Sequence, residues 1–158
     1  MAYPPGGAAV TVDSVRHFAV FKGGQKVESG LVWSAQHGAI TADGTYTAPA
    51  ATGKDRVEAR FQDGSGWWLA QDLDVVAPPS IQALSANPPR VAAGGLSHLT
   101  ATFTTDFLGS LRQGSSTLQW SSTSFGVDVH PTATTTYSLV VQNRAGDQVQ
   151  QTVTVETF

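Results

Sequence analysis

Along almost the whole chain, apolar and polar residues alternate with a period of two, in short runs separated by Gly, Pro, Asp and Asn. Helical spacing of apolar residues is nearly absent. The breaks recur roughly every eight to twelve residues, a rhythm that predicts antiparallel strands stacked as a sandwich. In the first half, strands are expected near Ala9–Asp13, His17–Phe21, Leu31–Ala35, Thr45–Ala48, Arg56–Gln62 and Trp67–Val76. In the second half they are expected near Ile81–Ser85, Ser97–Thr105, Thr117–Ser122, Gly126–His130, Thr135–Gln142 and Gln148–Glu156. The predicted class is all-β.

Between the halves stands Ala77-Pro78-Pro79. Proline has no N–H to give a central ladder, so this is expected to be a short, stiff linker. Residues 1–77 are then one domain with an N-terminal arm, 78–79 the linker and 80–158 a second domain. The halves echo each other, with LVWSA at 31–35 and LQWSS at 117–121 each placing a tryptophan and a serine in a mid-domain strand.

Two stretches carry a family likeness. VWSAQHGAITADGTYTAP in the first half resembles the bacterial immunoglobulin-like repeats, which read tryptophan-serine, a glycine turn, then G-x-Y-x-A-P. SIQALSANPPRVAAGGLSHLTATF with HPTATTTYSLVVQNRAGDQVQQTVTV resembles a related class. The segment 106–116, DFLGSLRQGSS, departs from that pattern by being longer and more apolar than the usual turn. The resemblance implies two tandem immunoglobulin-like antiparallel β-sandwiches, of the kind that serve as spacers, adhesins or accessory modules on bacterial surfaces and phage particles. It brings no catalytic residues with it.

Composition narrows the partners. The 158 residues are 41% hydrophobic but only 13% charged, with a net charge of −3 and no Lys/Arg cluster. Nucleic acid and anionic membranes both call for a concentrated basic face, so neither is an expected partner. There is no cysteine, which removes disulfides and thiolate metal sites. No apolar stretch is long enough to span a bilayer, and the N-terminus MAYPPGGAAV lacks the basic and apolar regions of an export signal.

Candidate chemistry is sparse. His17, His37, His98 and His130 are far apart and none has a metal-ligand spacing. Asp72 and Asp74 form a D-x-D that supplies too few oxygens for a closed calcium site and reads as solvated charge. Lys22, Lys26 and Lys54 lie in the first half whereas Asn87 and Asn143 lie in the second, so no domain owns both partners of a Lys–Asn cross-link. No metal, cofactor or enzymatic activity is expected.

The aromatic residues carry the remaining expectations. Trp33 and Trp120 are each expected to fill the centre of a sandwich, because a small domain needs a large side chain to bridge sheets about 10 Å apart. Tyr46 and Tyr137 are expected to bury their rings and return their hydroxyls to nearby backbone. Trp67 and Trp68 are adjacent and therefore point to opposite faces of a strand. Trp67 falls in line with Leu69, Leu73 and Val75 and is expected inside; Trp68 falls in line with Ala70, Asp72 and Asp74 and is expected outside. A loop at 63–65 sets Phe61 opposite Trp67, Arg60 opposite Trp68 and Arg56 opposite Asp72, pairing Arg60 with Trp68 as cation and ring.

An exposed tryptophan beside arginine suits an interface anchor. The alternative is that Trp68 is covered by Tyr3-Pro4-Pro5 or by Arg60. The expected docking surface comprises Trp68, Arg60 and the arm with Tyr3, and the next candidate is the segment with Phe107, Leu108 and Leu111. The expected role is a non-enzymatic module attached to a protein assembly. A chain that opens on Met1 without an export signal suggests a phage virion component, such as a capsid decoration or tail accessory protein. The alternatives are a repeat pair from a bacterial surface adhesin, or a carbohydrate-binding module in which Trp68 with Trp67 or Phe125 stacks on surface glycans.

Overall fold

A computed structural model describes residues 9–158, and all regular structure among them is β. The chain divides between Ala77 and Pro78 into two compact units.

The first unit runs β1 (Ala9–Thr11), β2 (Val15–His17), β3 (Phe21–Lys22), β4 (Gln25–Lys26), β5 (Leu31–Ala35), β6 (Ala39–Ile40), β7 (Thr45–Thr47), β8 (Gly53–Phe61) and β9 (Trp68–Val76). One sheet has the order β1-β9-β8-β5, with β1 parallel to β9 and the other pairs antiparallel. A second sheet has the order β2-β7-β6, and β3 with β4 forms a separate hairpin. The core gathers Val10, Phe18, Tyr46, Ala48, Val57, Leu73 and Val75. Inward-facing Val57 and Ala59 alternate along β8 with Arg56, Glu58 and Arg60, as the period-two pattern requires.

One strand expected at His17–Phe21 is broken. β2 ends at His17 and β3 begins at Phe21, while Phe18 and Val20 between them are both buried. The Phe18 N–H donates to the Gly44 carbonyl at 2.8 Å, in register with the β2–β7 pairing, and the regular strand ends there. The β3–β4 turn is Gly23-Gly24, both with positive φ (59° and 82°), as a two-residue primed turn demands.

The second unit runs β10 (Ser80–Asn87), β11 (Arg90–Val91), β12 (Ser97–Thr104), β13 (Leu108–Gln113), β14 (Ser116–Ser121), β15 (Phe125–Val129), β16 (Thr135–Gln142) and β17 (Gln148–Thr157). Its sheets have the orders β10-β12-β15 and β11-β17-β16-β13-β14. The core includes Leu99, Phe103, Leu111, Tyr137, Leu139, Val141 and Val155.

The long apolar segment at 106–116 is itself a strand, β13, and this corrects two expectations. Leu111 is not an interface residue: it is fully buried opposite Leu139, the place on its sheet that Trp33 takes opposite Ala59 in the first unit. Trp120 is not a core residue: it is 69% exposed on β14, the outermost strand, opposite Ser110. The echo between LVWSA and LQWSS thus joins two strands of different position. β13 takes the place beside β16 that β5 takes beside β8, and the tryptophan lies one strand further out, on the edge strand β14.

Candidate functional site: an aromatic groove on the first unit

β8 and β9 are joined by a hairpin whose register sets Arg60 opposite Trp68 and Arg56 opposite Asp72, and the Phe61 N–H donates to the Trp67 carbonyl at 3.0 Å. Asp63 holds the loop by accepting from the Ser65 backbone N–H (2.9 Å) and from the Ser65 hydroxyl, which together keep its carboxyl below the usual range. The two glycines of the loop, Gly64 and Gly66, have φ of 76° and 71°.

This geometry leaves both tryptophans at the surface. Trp68 is 49% exposed, on the outer face. Trp67, expected in the core, is 71% exposed. It precedes β9 and lies beyond the buried stretch of that strand, where Leu73 and Val75 are covered but Leu69 is only half-buried. Around it gather Phe21 and Lys22 from the β3–β4 hairpin, Phe61 from β8 and Leu69 from β9, enclosing with both tryptophans a groove of about 260 Å³. Phe21 is 50% exposed. The Lys22 ammonium lies 5.6 Å from the centre of the Phe61 ring. The hairpin that brings Phe21 and Lys22 here was legible in the glycine pair of FKGGQK, a two-residue turn signal between polar and aromatic positions.

The cation over Trp68 is Arg56 rather than Arg60. The Arg56 guanidinium sits 5.7 Å from the ring centre while bonding Glu58 at 3.1 Å and Asp72 at 2.9 Å. Arg60, directly across the ladder, turns instead to Glu58 at 3.2 Å. Glu58 is held below the ordinary carboxylate range by these two arginines, Arg56 first. The outer face of β8 and β9 is therefore a line of paired charges with Trp68 at its end.

Toward the opposite end of β8 from the groove, where Asp55 faces Leu73, the unit is braced by a buried polar cluster. Asp55 is 2% exposed and accepts four hydrogen bonds: from the His37 N–H (2.9 Å) and Arg56 N–H (2.7 Å) on one oxygen, and from the Gly38 N–H (2.8 Å) and Tyr46 hydroxyl (2.6 Å) on the other. Burial alone would raise its pKa, but the donors, led by Tyr46, outweigh it and hold the carboxyl below its ordinary value. Burial, then the bond to Asp55, pushes the Tyr46 phenol well above its own. The Tyr46 hydroxyl thus goes to a side chain, not to nearby backbone. Phe18 meets the Tyr46 ring edge-on at 5.7 Å, and half-buried Trp33 lies 6.5 Å from Phe18. Trp33 lines this core; Phe18 and Tyr46 fill it.

In the second unit Tyr137 is buried, and burial raises its pKa. Phe107, Leu108 and Trp120 line a shallow depression of about 500 Å³ with Ser110, Arg112 and Thr117. Phe125 packs edge-on against Phe103 at 5.8 Å, partly buried against the core of the second unit. Tyr3 lies outside the described residues.

No protein-family model matches the sequence, and no curated protein matches it. Solved structures do. A C-terminal 282-residue fragment of intimin, solved in complex with the intimin-binding domain of the translocated intimin receptor, superposes with a TM-score of 0.58 at 14% identity, over 99% of this chain and 63% of that one. Drosophila OTK extracellular domains 3–5 superpose with a TM-score of 0.53 at 12% identity, over 99% of this chain and 61% of that one. The fold is a tandem of immunoglobulin-like sandwiches. The chain spans somewhat less than two-thirds of each of these structures, and at such identities the likeness is one of fold.

Proposed function

We propose that this tandem is a non-enzymatic structural and adhesive module, of the bacterial immunoglobulin-like repeat kind, that attaches to a larger protein assembly through the aromatic end of its first unit. The observation that carries this reading is the exposure of Phe21, Trp67 and Trp68 together around one apolar groove. Exposed clusters of large apolar side chains mark interaction sites, and tryptophan is the residue most enriched at binding hot spots. The groove lining offers one cation, Lys22, and no carboxylate, histidine or hydroxyl, which favours binding over bond-breaking chemistry. β9 starts at the groove and ends at Val76, one residue before the unit's boundary. The groove therefore lies at the end of the first unit remote from Ala77.

The proposed assembly is a phage virion, on which the chain acts as a capsid decoration or tail accessory protein. A bacterial cell surface is the alternative setting, and the intimin fragment, itself bound to a receptor domain, favours it. Co-sedimentation of the purified chain with virions and with whole cells separates the two. Trp67→Ala and Trp68→Ala are expected to lose sedimentation while melting near the wild-type temperature. Retention on insoluble polysaccharide, lost in the same variants, would instead assign the groove to sugar rings. Wild-type attachment by both variants would remove the groove from the function.

A further inference from the structure

β5, Leu31–Ala35, is the outermost strand of its sheet. The Gln36 N–H donates to the Arg56 carbonyl and the Gln62 N–H to the Gly30 carbonyl, so the even-numbered residues of β5 turn their backbone groups toward β8. Antiparallel ladders alternate, and the N–H and C=O of Leu31, Trp33 and Ala35 consequently point away from β8, to the open side. Among the described residues no backbone or side-chain partner reaches them.

Exposed edges are normally blunted by lysine, proline, a bulge or an inward-pointing charge. LVWSA has none of these, and its pairing with β8 is regular throughout. Hollows flank the strand on both sides. One of about 420 Å³ is walled by Leu31, Trp33 and Phe18, with Lys26, Glu28 and Asp43 among its polar lining; another of about 360 Å³ is lined by Ser34, Ala35, Gln36, Arg56 and Glu58.

We propose that this edge is a strand-addition site, which takes up an extended segment of a partner protein antiparallel to β5. The recognising chemistry is a backbone: donor and acceptor pairs repeating every second residue, roughly 6.8 Å apart, are matched by an extended polypeptide and by no sugar chain or lipid. Alternate side chains of the incoming strand enter the hollow beside Trp33 and the polar hollow beside Ser34. An apolar residue suits the first and a polar one the second. A second copy of this chain is the poorer occupant, because the inward side chains of its own β5, Leu31 and Trp33, are already engaged with its own unit, Trp33 against Phe18. This site is independent of the aromatic groove.

The test is a titration of the full chain, labelled for amide NMR and hydrogen exchange, with a short soluble synthetic peptide that alternates threonine and valine between terminal lysines. The expected result is slowed exchange at the amides of Leu31, Trp33 and Ala35. The same peptide, N-methylated at alternate residues to delete its donors, is expected to bind about tenfold or more weakly. Val32→Lys adds a charge on the exposed face of the edge without touching the core, and is expected to weaken binding in the same sense. Three results would overturn the proposal: unchanged exchange at those amides, equal binding of the methylated peptide, or peptide-free protection that grows with chain concentration, which would make the occupant a second copy.

Discussion

Replacing Tyr46 with phenylalanine tests the polar brace of the first unit. The ring stays and keeps its edge-on contact with Phe18, while one hydroxyl is lost from a carboxylate that is 2% exposed. Asp55 then keeps three backbone donors and loses its 2.6 Å bond to the phenol. A hydrogen bond to a charged group contributes about 1.5–3 kcal/mol, so Tyr46→Phe is expected to cost that much at neutral pH. The cost should depend on pH. Asp55 titrates lower folded than unfolded, so its stabilisation is complete above the unfolded-state value of about 3.9 and is lost as the pH falls through the lower, folded-state value. The gap between wild type and Tyr46→Phe should therefore be full at neutral pH and narrow in strong acid. Denaturant unfolding followed by tryptophan fluorescence reads this directly, because Trp33, Trp67 and Trp68 all lie in the first unit. Comparing variant with wild type cancels the other carboxylates held low, such as Asp43, whose value near 2 comes chiefly from the Thr41 hydroxyl. A gap absent at neutral pH, or one constant into strong acid, would refute the assignment of Tyr46 as the principal donor to an ionised Asp55.

Three further outcomes are expected. Leu111→Ala should cost about 2–5 kcal/mol, whereas Trp120→Ala should leave the melting temperature nearly unchanged; calorimetry on both separates a core position from an edge position. Residues 1–77 and 78–158 expressed separately should each unfold cooperatively, and a non-cooperative melt of either would show that the units depend on each other. Gly38→Ala should destabilise the first unit, because its Cβ would lie 2.6 Å from the Tyr46 ring and from the Thr47 carbonyl; unchanged denaturant unfolding would show that the cluster gives way easily.

Strand direction and parity were legible locally. Val57 and Ala59 against Arg56, Glu58 and Arg60 follow from the two-residue repeat of any strand, and the hairpin arithmetic placing Arg60 opposite Trp68 and Arg56 opposite Asp72 needs only the loop length. The sandwich class followed from the same alternation. Partner choice did not. Glu58 bonds both arginines, but only Arg56 is also bonded to Asp72, which shares the outer face of β9 with Trp68, and it is Arg56 rather than Arg60 that stacks on the ring.

Burial was likewise beyond local reading. Trp67 has inward parity and is nevertheless exposed, because an inward side chain is covered only where other elements reach across to meet it, and among the described residues it is the Phe21–Lys26 hairpin that reaches this end of the sheet. Trp120 repeats the motif around Trp33, yet β13 inserts Leu111 at the matching position and sends the tryptophan to the edge. Alternation is a property of one strand's backbone and is written in its sequence. Coverage is a property of what packs opposite, set by residues distant along the chain, and only the tertiary structure brings those together.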